Sequence, residues 1–156
     1  MRILIISDSH GKTENIELLR GRTGKIDLIL HCGDGTSELD FIRSFLGAPI
    51  TGVTGNCDMF SSERSSVNLN IEGKVIHIEH GHMLPYFNDL AMIDHAAANG
   101  YDVIVFGHTH VQKVFEKDGR YVVNPGSISR PRDGFPSYII LETDGKGGFN
   151  FDCQRV

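Results

Sequence analysis

Apolar residues in the first half of the chain come in short runs separated by stretches of helical spacing. Ile3-Leu4-Ile5-Ile6 is the first run, a stretch capped at Thr13 with Ile16 and Leu19 follows, and Asp27-Leu28-Ile29-Leu30 is the second run. Leu39, Ile42, Phe45 and Leu46 then recur three and four apart, and Ile50 to Thr54 is extended again. Short apolar runs alternating with amphipathic stretches predict a β-α-β-α-β segment with parallel strands and crossover helices. From Val67 the period changes. Val67-Asn68-Leu69-Asn70-Ile71 alternates with period two, Glu72-Gly73 is a turn, and Lys74 to Glu79 is the returning strand of a hairpin.

A helix is expected from about Asn88, with Leu90, Ile93 and Ala97 on one face and Asn99-Gly100 as its stop signal. Asp102 to Phe106 is then a buried strand. Val111 to Glu116, Tyr121 to Val123, Tyr138 to Glu142 and Phe149 to Cys153 continue as strands, with turns at Asp118-Gly119 and Asp144-Gly145. Helices therefore precede a largely β second half. The pattern predicts an α/β protein with two packed sheets flanked by helices, rather than one doubly wound sheet.

Length and charge narrow the partners. At 156 residues there is room for one domain, spanning 1–156, and no repeat or linker divides it. With 15 Lys and Arg against 20 Asp and Glu the formal charge is −5, which argues against non-specific nucleic-acid binding through a basic face. The early run Ile3–Ile6 is far too short for a signal-peptide core or a membrane span, so a cytoplasmic location with no membrane partner is expected. Cys32, Cys57 and Cys153 are odd in number and form no CxxC pair, so neither a disulfide framework nor a cysteine zinc site is indicated. Cys32 and Cys153 read as buried, and His77 and His95 as surface residues.

The chemistry sits immediately after the strands. Ile3–Ile6 runs into Asp8-Ser9-His10, Leu28–Leu30 into Gly33-Asp34-Gly35, and Ile50–Thr54 into Gly55-Asn56-Cys57-Asp58. Lys74–Glu79 runs into His80-Gly81-His82, and Val103–Phe106 into Gly107-His108-Thr109-His110. In open α/β sheets ligands collect outside the carboxyl ends of strands, where distant segments meet. Asp8 with His10, and His108 with His110, are i and i+2 pairs that point the same way if the backbone is extended. Taken singly, Asp34-Gly35 is an ordinary turn, Asn56 a cap and His80 a strand-end histidine. Five turns all choosing metal-competent side chains after apolar strands are not explained that way. Oxygen and imidazole donors suit manganese, iron, nickel, cobalt or zinc. If Asp34 is shared, Asp8, His10, Asp34, Asn56, His80, His108 and His110 suffice for two ions.

These motifs, in this order, resemble the calcineurin-like metallophosphoesterase superfamily, and its small bacterial and archaeal YfcE-like phosphodiesterase branch in particular. Asn124-Pro125-Gly126-Ser127 and Ser129-Arg130-Pro131-Arg132 fit that branch too. The resemblance implies a four-layer αββα sandwich with a dinuclear site at one sheet edge. It implies one ion on Asp8, His10, Asp34 and His110 and another on Asp34, Asn56, His80 and His108, both divalent transition metals with manganese first. The implied reaction is hydrolysis of a small phosphate ester, in which a metal-bridged hydroxide attacks phosphorus in line with the leaving oxygen. Asp34 and Asn56 would tune the ions.

Many superfamily members carry His after the Asn, where this chain has Cys57, a poor proton donor at neutral pH. His82 is the alternative donor to the leaving group. Two rival readings remain: a catalytically weak scaffold of the same fold that binds a protein partner, as a retromer subunit does, and a Cys57-His nucleophilic hydrolase. Arg130 and Arg132 are candidates to hold phosphate, or are solvated loop residues. His31 is either a support for a ligand or core packing. Gly11-Lys12-Thr13 lacks the earlier glycine of a phosphate-binding loop. A homodimer through an edge strand is possible on this pattern.

Overall fold

The computed structural model describes residues 1–84 and 88–156. Ten strands form two mixed sheets. The first contains β1 (Arg2–Ile6), β2 (Leu28–His31), β3 (Ile50–Gly52), β9 (Ser137–Thr143) and β10 (Phe149–Arg155), in the order β10-β9-β1-β2-β3. The second contains β4 (Ser66–Ile71), β5 (Lys74–Glu79), β6 (Val103–Val105), β7 (Gln112–Lys117) and β8 (Arg120–Pro125), in the order β4-β5-β6-β8-β7. β1, β2 and β3 are parallel, as are β5, β6 and β8, while β9, β10, β4 and β7 join antiparallel. Among the described residues three α-helices flank them: α1 (Glu14–Glu17), α2 (Leu39–Leu46) and α3 (Asp89–Asn99).

Strand alternation decides the layering. On β1, Ile3 and Ile5 face inward to a core shared with Ile76, Ile78, Val103, Val105 and Val123 of the second sheet. Leu4 and Ile6 face outward to Ile16, Leu19 and Ile42 of the helical layer. On the far side, Met92, Ile93 and Ala96 of α3 cover Ile104, Phe106 and Val122. The result is the αββα sandwich expected from the motifs, with three apolar layers between four layers of backbone. The Glu72-Gly73 and Asp118-Gly119 turns carry positive φ at both residues, the geometry that matches strand twist in tight hairpins.

Several local expectations are corrected. α1 is a single turn, and Thr13 makes no capping bond, because its hydroxyl donates to the Glu17 carboxylate at 3.0 Å. Asn88 does cap α3, accepting from the Leu90 and Ala91 N–H groups. The buried face of α3 is Met92, Ile93 and Ala96, while Leu90 is 50% exposed and Ala97 is exposed. Both choices of face have helical spacing, and only the position of the second sheet selects one. Cys153 is exposed, on the edge strand β10. His77 is buried, its ring stacked on Tyr101 with centroids 4.3 Å apart. No described helix is long and apolar enough to cross a membrane.

Candidate metal centre

All seven donors converge beyond the carboxyl ends of strands from both sheets, not along the lateral edge of one. Asp8 and His10 follow β1, Asp34 follows β2 and Asn56 follows β3, while His80 follows β5 and His108 and His110 follow β6. His110 Nε2 lies 3.0 Å from Asp8 Oδ1 and 3.3 Å from His10 Nε2. His10 Nε2 is 3.8 Å from both Asp8 Oδ1 and Asp34 Oδ2. Across Asp34, His80 Nε2 is 3.4 Å from Oδ2 and 3.1 Å from Asn56 Oδ1. The His108 ring sits 5.2 Å from that of His80. Asp34 thus stands between two groups of donors.

The backbone reason differs from the extended i, i+2 geometry expected. Asp8, His10, Asp34, His108 and His110 have φ of 56°, 47°, 54°, 64° and 59°, in the left-handed region. Each such residue costs about 1–2 kcal/mol relative to ordinary backbone, although Asp and His tolerate it better than most. Left-handed residues throw the chain sharply off the strand end and turn both members of each pair into one space. Strain concentrated at convergent polar side chains marks a functional site rather than a folding requirement. Two glycines make room for it. A Cβ on Gly55 would lie 2.1 Å from Asp34 Oδ1, and one on Gly107 would lie 2.7 Å from Asp8 Oδ2.

The hydrogen bonds behind the site fix which atoms it presents. His80 Nδ1 is 2.7 Å from the Cys32 carbonyl and His110 Nδ1 is 2.6 Å from the Arg130 carbonyl. A carbonyl accepts only, so both Nδ1 atoms carry protons and each neutral ring turns an Nε2 lone pair inward. Those lone pairs face Asp8 Oδ1, which is buried without a hydrogen-bond donor, as well as Asp34 Oδ2 and Asn56 Oδ1. Acceptors facing acceptors in a buried space are unstable unless a proton or a metal ion lies between them. Imidazoles backed by carbonyls are also the usual arrangement around protein-bound metals. The residues therefore fit divalent ions.

Electrostatics divide the donors: they hold Asp34 ionised and favour neutral His10 and His108, while His80 and His110 gain affinity for a proton beside their carboxylates. Burial would raise the Asp34 pKa, but contacts with His80 and the Cys57 N–H, which donates to Oδ1 at 2.7 Å, hold it well below the usual carboxylate range. Contact with Asp8 raises His110. Burial would lower His80, and its hydrogen bonds with Asp34 and Cys32 raise it on balance. Burial lowers His10 and His108 toward the neutral form that coordinates metals.

Four supports escaped sequence reasoning. The Asp58 carboxylate accepts from the N–H groups of Asp34, Gly35, Thr36 and Gly55 at 2.8–2.9 Å, tying the Asp34 loop to the Asn56 loop. Ser127 and Ser129 both donate to the Asp8 carbonyl, at 2.8 and 2.9 Å. Asn124 donates to the Gly107 carbonyl at 2.7 Å, which steadies the His108 loop. Only the placement of these residues in recurring strand-end motifs offered a signal for them. His31 is buried and touches no donor directly. Its Nε2 is 3.1 Å from the Ser9 hydroxyl, which donates to Glu38, so it braces the residue between Asp8 and His10.

A cavity of about 360 Å³ opens over His10, Asp34, Asn56, His108 and His110, with Cys57, Arg130 and Arg132 on its wall. Cys57 is exposed, and contact with the Asp34 carboxylate followed by burial pushes its thiol up to about 11. His82 is exposed and lies outside the donor cluster, 5.4 Å from His80 and 6.4 Å from His108 between ring centroids.

Known proteins resemble this chain in sequence and fold. A family model described as the calcineurin-like phosphoesterase superfamily domain matches residues 1–146. The probable metallophosphoesterase YsnB of Bacillus subtilis is 38% identical over 144 residues, covering 90% of this chain and 83% of that protein. A phosphodiesterase of Methanocaldococcus jannaschii is 31% identical over 171 residues, covering 94% of this chain and 95% of its own length. Among solved structures, wild-type Vps29 of Entamoeba histolytica complexed with Zn²⁺ has a TM-score of 0.82 at 25% identity, covering 100% of this chain and 98% of that one. With a family match over nearly its whole length and relatives above 30% identity, the chain belongs to the calcineurin-like phosphoesterase superfamily.

Proposed function

We propose that the protein is a divalent-metal-dependent phosphodiesterase acting on small phosphate esters. One observation carries the reading: lone pairs of Asp8, Asp34, Asn56, His80 and His110 face one another in a strained, largely buried cluster at the floor of an open cavity. Asp8, His10, Asp34 and His110 would hold one ion, and Asp34, Asn56, His80 and His108 a second. Manganese suits these oxygen and nitrogen donors, as do nickel, iron, cobalt and zinc. Such ions supply Lewis acidity toward phosphoryl oxygens and bring the pKa of water toward neutrality.

The chain's own groups supply the rest. Arg130 and Arg132 on the cavity wall hold the ester's phosphoryl oxygens through charge-assisted hydrogen bonds. The neutral Asn56 leaves more positive charge uncompensated than a carboxylate would. A thiol pushed up to about 11 is no acid for a departing alkoxide at neutral pH, so His82 takes that role.

With bis(p-nitrophenyl) phosphate as substrate, chelation is expected to reduce hydrolysis to background and Mn²⁺ or Ni²⁺ to restore it. Unchanged rates after chelation refute the reading. Cys57→Ala is expected to keep kcat within a factor of about three, and complete loss in that variant would instead favour the cysteine nucleophile. The partner-binding scaffold predicts no metal-dependent turnover at all. The full set of seven donors after five strands favours catalysis over it.

A further inference from the structure

Beside the metal centre a second cavity, of about 480 Å³, lies on the outer face of the second sheet between β5 and the C-terminal half of α3. His80 and His82 form the wall nearest the metal donors. His77 and Glu79 of β5 contribute to the cavity lining. His77 Nδ1 is 2.6 Å from Asn68 Oδ1, which commits the ring proton there, and Nε2 turns toward Glu79 Oε1 at 3.5 Å. In the neutral tautomer that donates to Asn68, His77 Nε2 and Glu79 Oε1 are two acceptors side by side in a largely buried place. The Tyr101 ring lies flat on His77, with planes within 5°, and gives the cavity an aromatic wall. Asn99 adds an amide from α3.

Paired acceptors next to an aromatic face select their ligand by elimination. A second phosphate would meet the Glu79 carboxylate and be repelled. A purely apolar ester group would bury both acceptors unpaired, at the usual cost of desolvated polar groups. Adjacent hydroxyls on a sugar ring offer two O–H donors side by side, and the ring's carbon face can lie on Tyr101. Carboxylates serve sugar hydroxyls in the same way at nucleotide sites.

We propose that this cavity receives a sugar bearing vicinal hydroxyls, such as the ribose of a nucleotide ester, while its phosphate sits at the metal donors. The proposal rests on the phosphodiesterase reading above. Its test uses the Mn²⁺-loaded protein and three esters that all release p-nitrophenolate: uridine 5′-(p-nitrophenyl phosphate), its 2′,3′-dideoxy analogue, and bis(p-nitrophenyl) phosphate. The ribose ester is expected to exceed the dideoxy ester in kcat/KM by about tenfold or more, mostly through KM. In Glu79→Gln that ratio is expected to fall toward one. Equal kcat/KM for the two nucleotide esters in the unmodified protein, with bis(p-nitrophenyl) phosphate hydrolysed normally, overturns the sugar pocket and leaves the phosphodiesterase standing. No turnover of any of the three overturns both.

Discussion

Asp34→Asn is expected to lower kcat on bis(p-nitrophenyl) phosphate by at least about 10³-fold, a loss of roughly 4 kcal/mol of transition-state stabilisation. Asp34 Oδ2 lies between His10 at 3.8 Å and His80 at 3.4 Å, one from each donor group. The amide keeps nearly the same volume, and its oxygen can still accept from the Cys57 N–H, so the loops stay in place while the shared negative charge disappears. Measuring bound metal by mass spectrometry alongside kcat separates this from misfolding: the variant should melt near the unmodified protein and carry less metal. Activity within tenfold of the unmodified protein, at full metal content, would remove Asp34 from its shared position.

The second large effect concerns stability. Asp58→Ala removes the acceptor for four backbone N–H groups in two loops. Each charge-assisted bond contributes about 1.5–3 kcal/mol, but Asp58 is half-exposed and water replaces part of that, so a loss of about 3 kcal/mol is expected. For a chain of this length that corresponds to a fall in Tm of about 6–12 °C, readable by circular dichroism. Asp58→Asn should fall in between, because one of its two positions becomes a donor facing other donors. A shift of under about 2 °C in Asp58→Ala would show that solvent satisfies the loops unaided.

What was legible in the sequence followed from local pattern. Apolar runs of four to six residues located the strands, the change from helical to alternating spacing at Val67 located the second sheet, and donors after each run located the site. What was illegible depended on neighbours far along the chain. The buried face of α3 differs from the expected one because Leu90, Ile93 and Ala97 recur at helical spacing just as Met92 and Ala96 do, and only the second sheet distinguishes the two faces. His77 looked like a surface residue of an alternating strand until Tyr101, beyond the helix, lay over it. Asp58 gave no sign of its work, since the N–H groups it gathers belong mainly to residues 22–24 positions away. The left-handed backbone at Asp8, His10, Asp34, His108 and His110 was likewise invisible, because these residue types populate ordinary regions more often.

Asp8, His10, Asp34 and Asn56 belong to one layer of the sandwich, and His80, His108 and His110 to the other. An ion held between them would rivet the layers together at that end. By mass action, an ion at one hundred times its dissociation constant adds about 2.7 kcal/mol to the folded state. The clasp proposed for the chemistry would therefore also keep the two halves of the molecule from prising apart, and metal starvation would loosen the body of the protein from its working end.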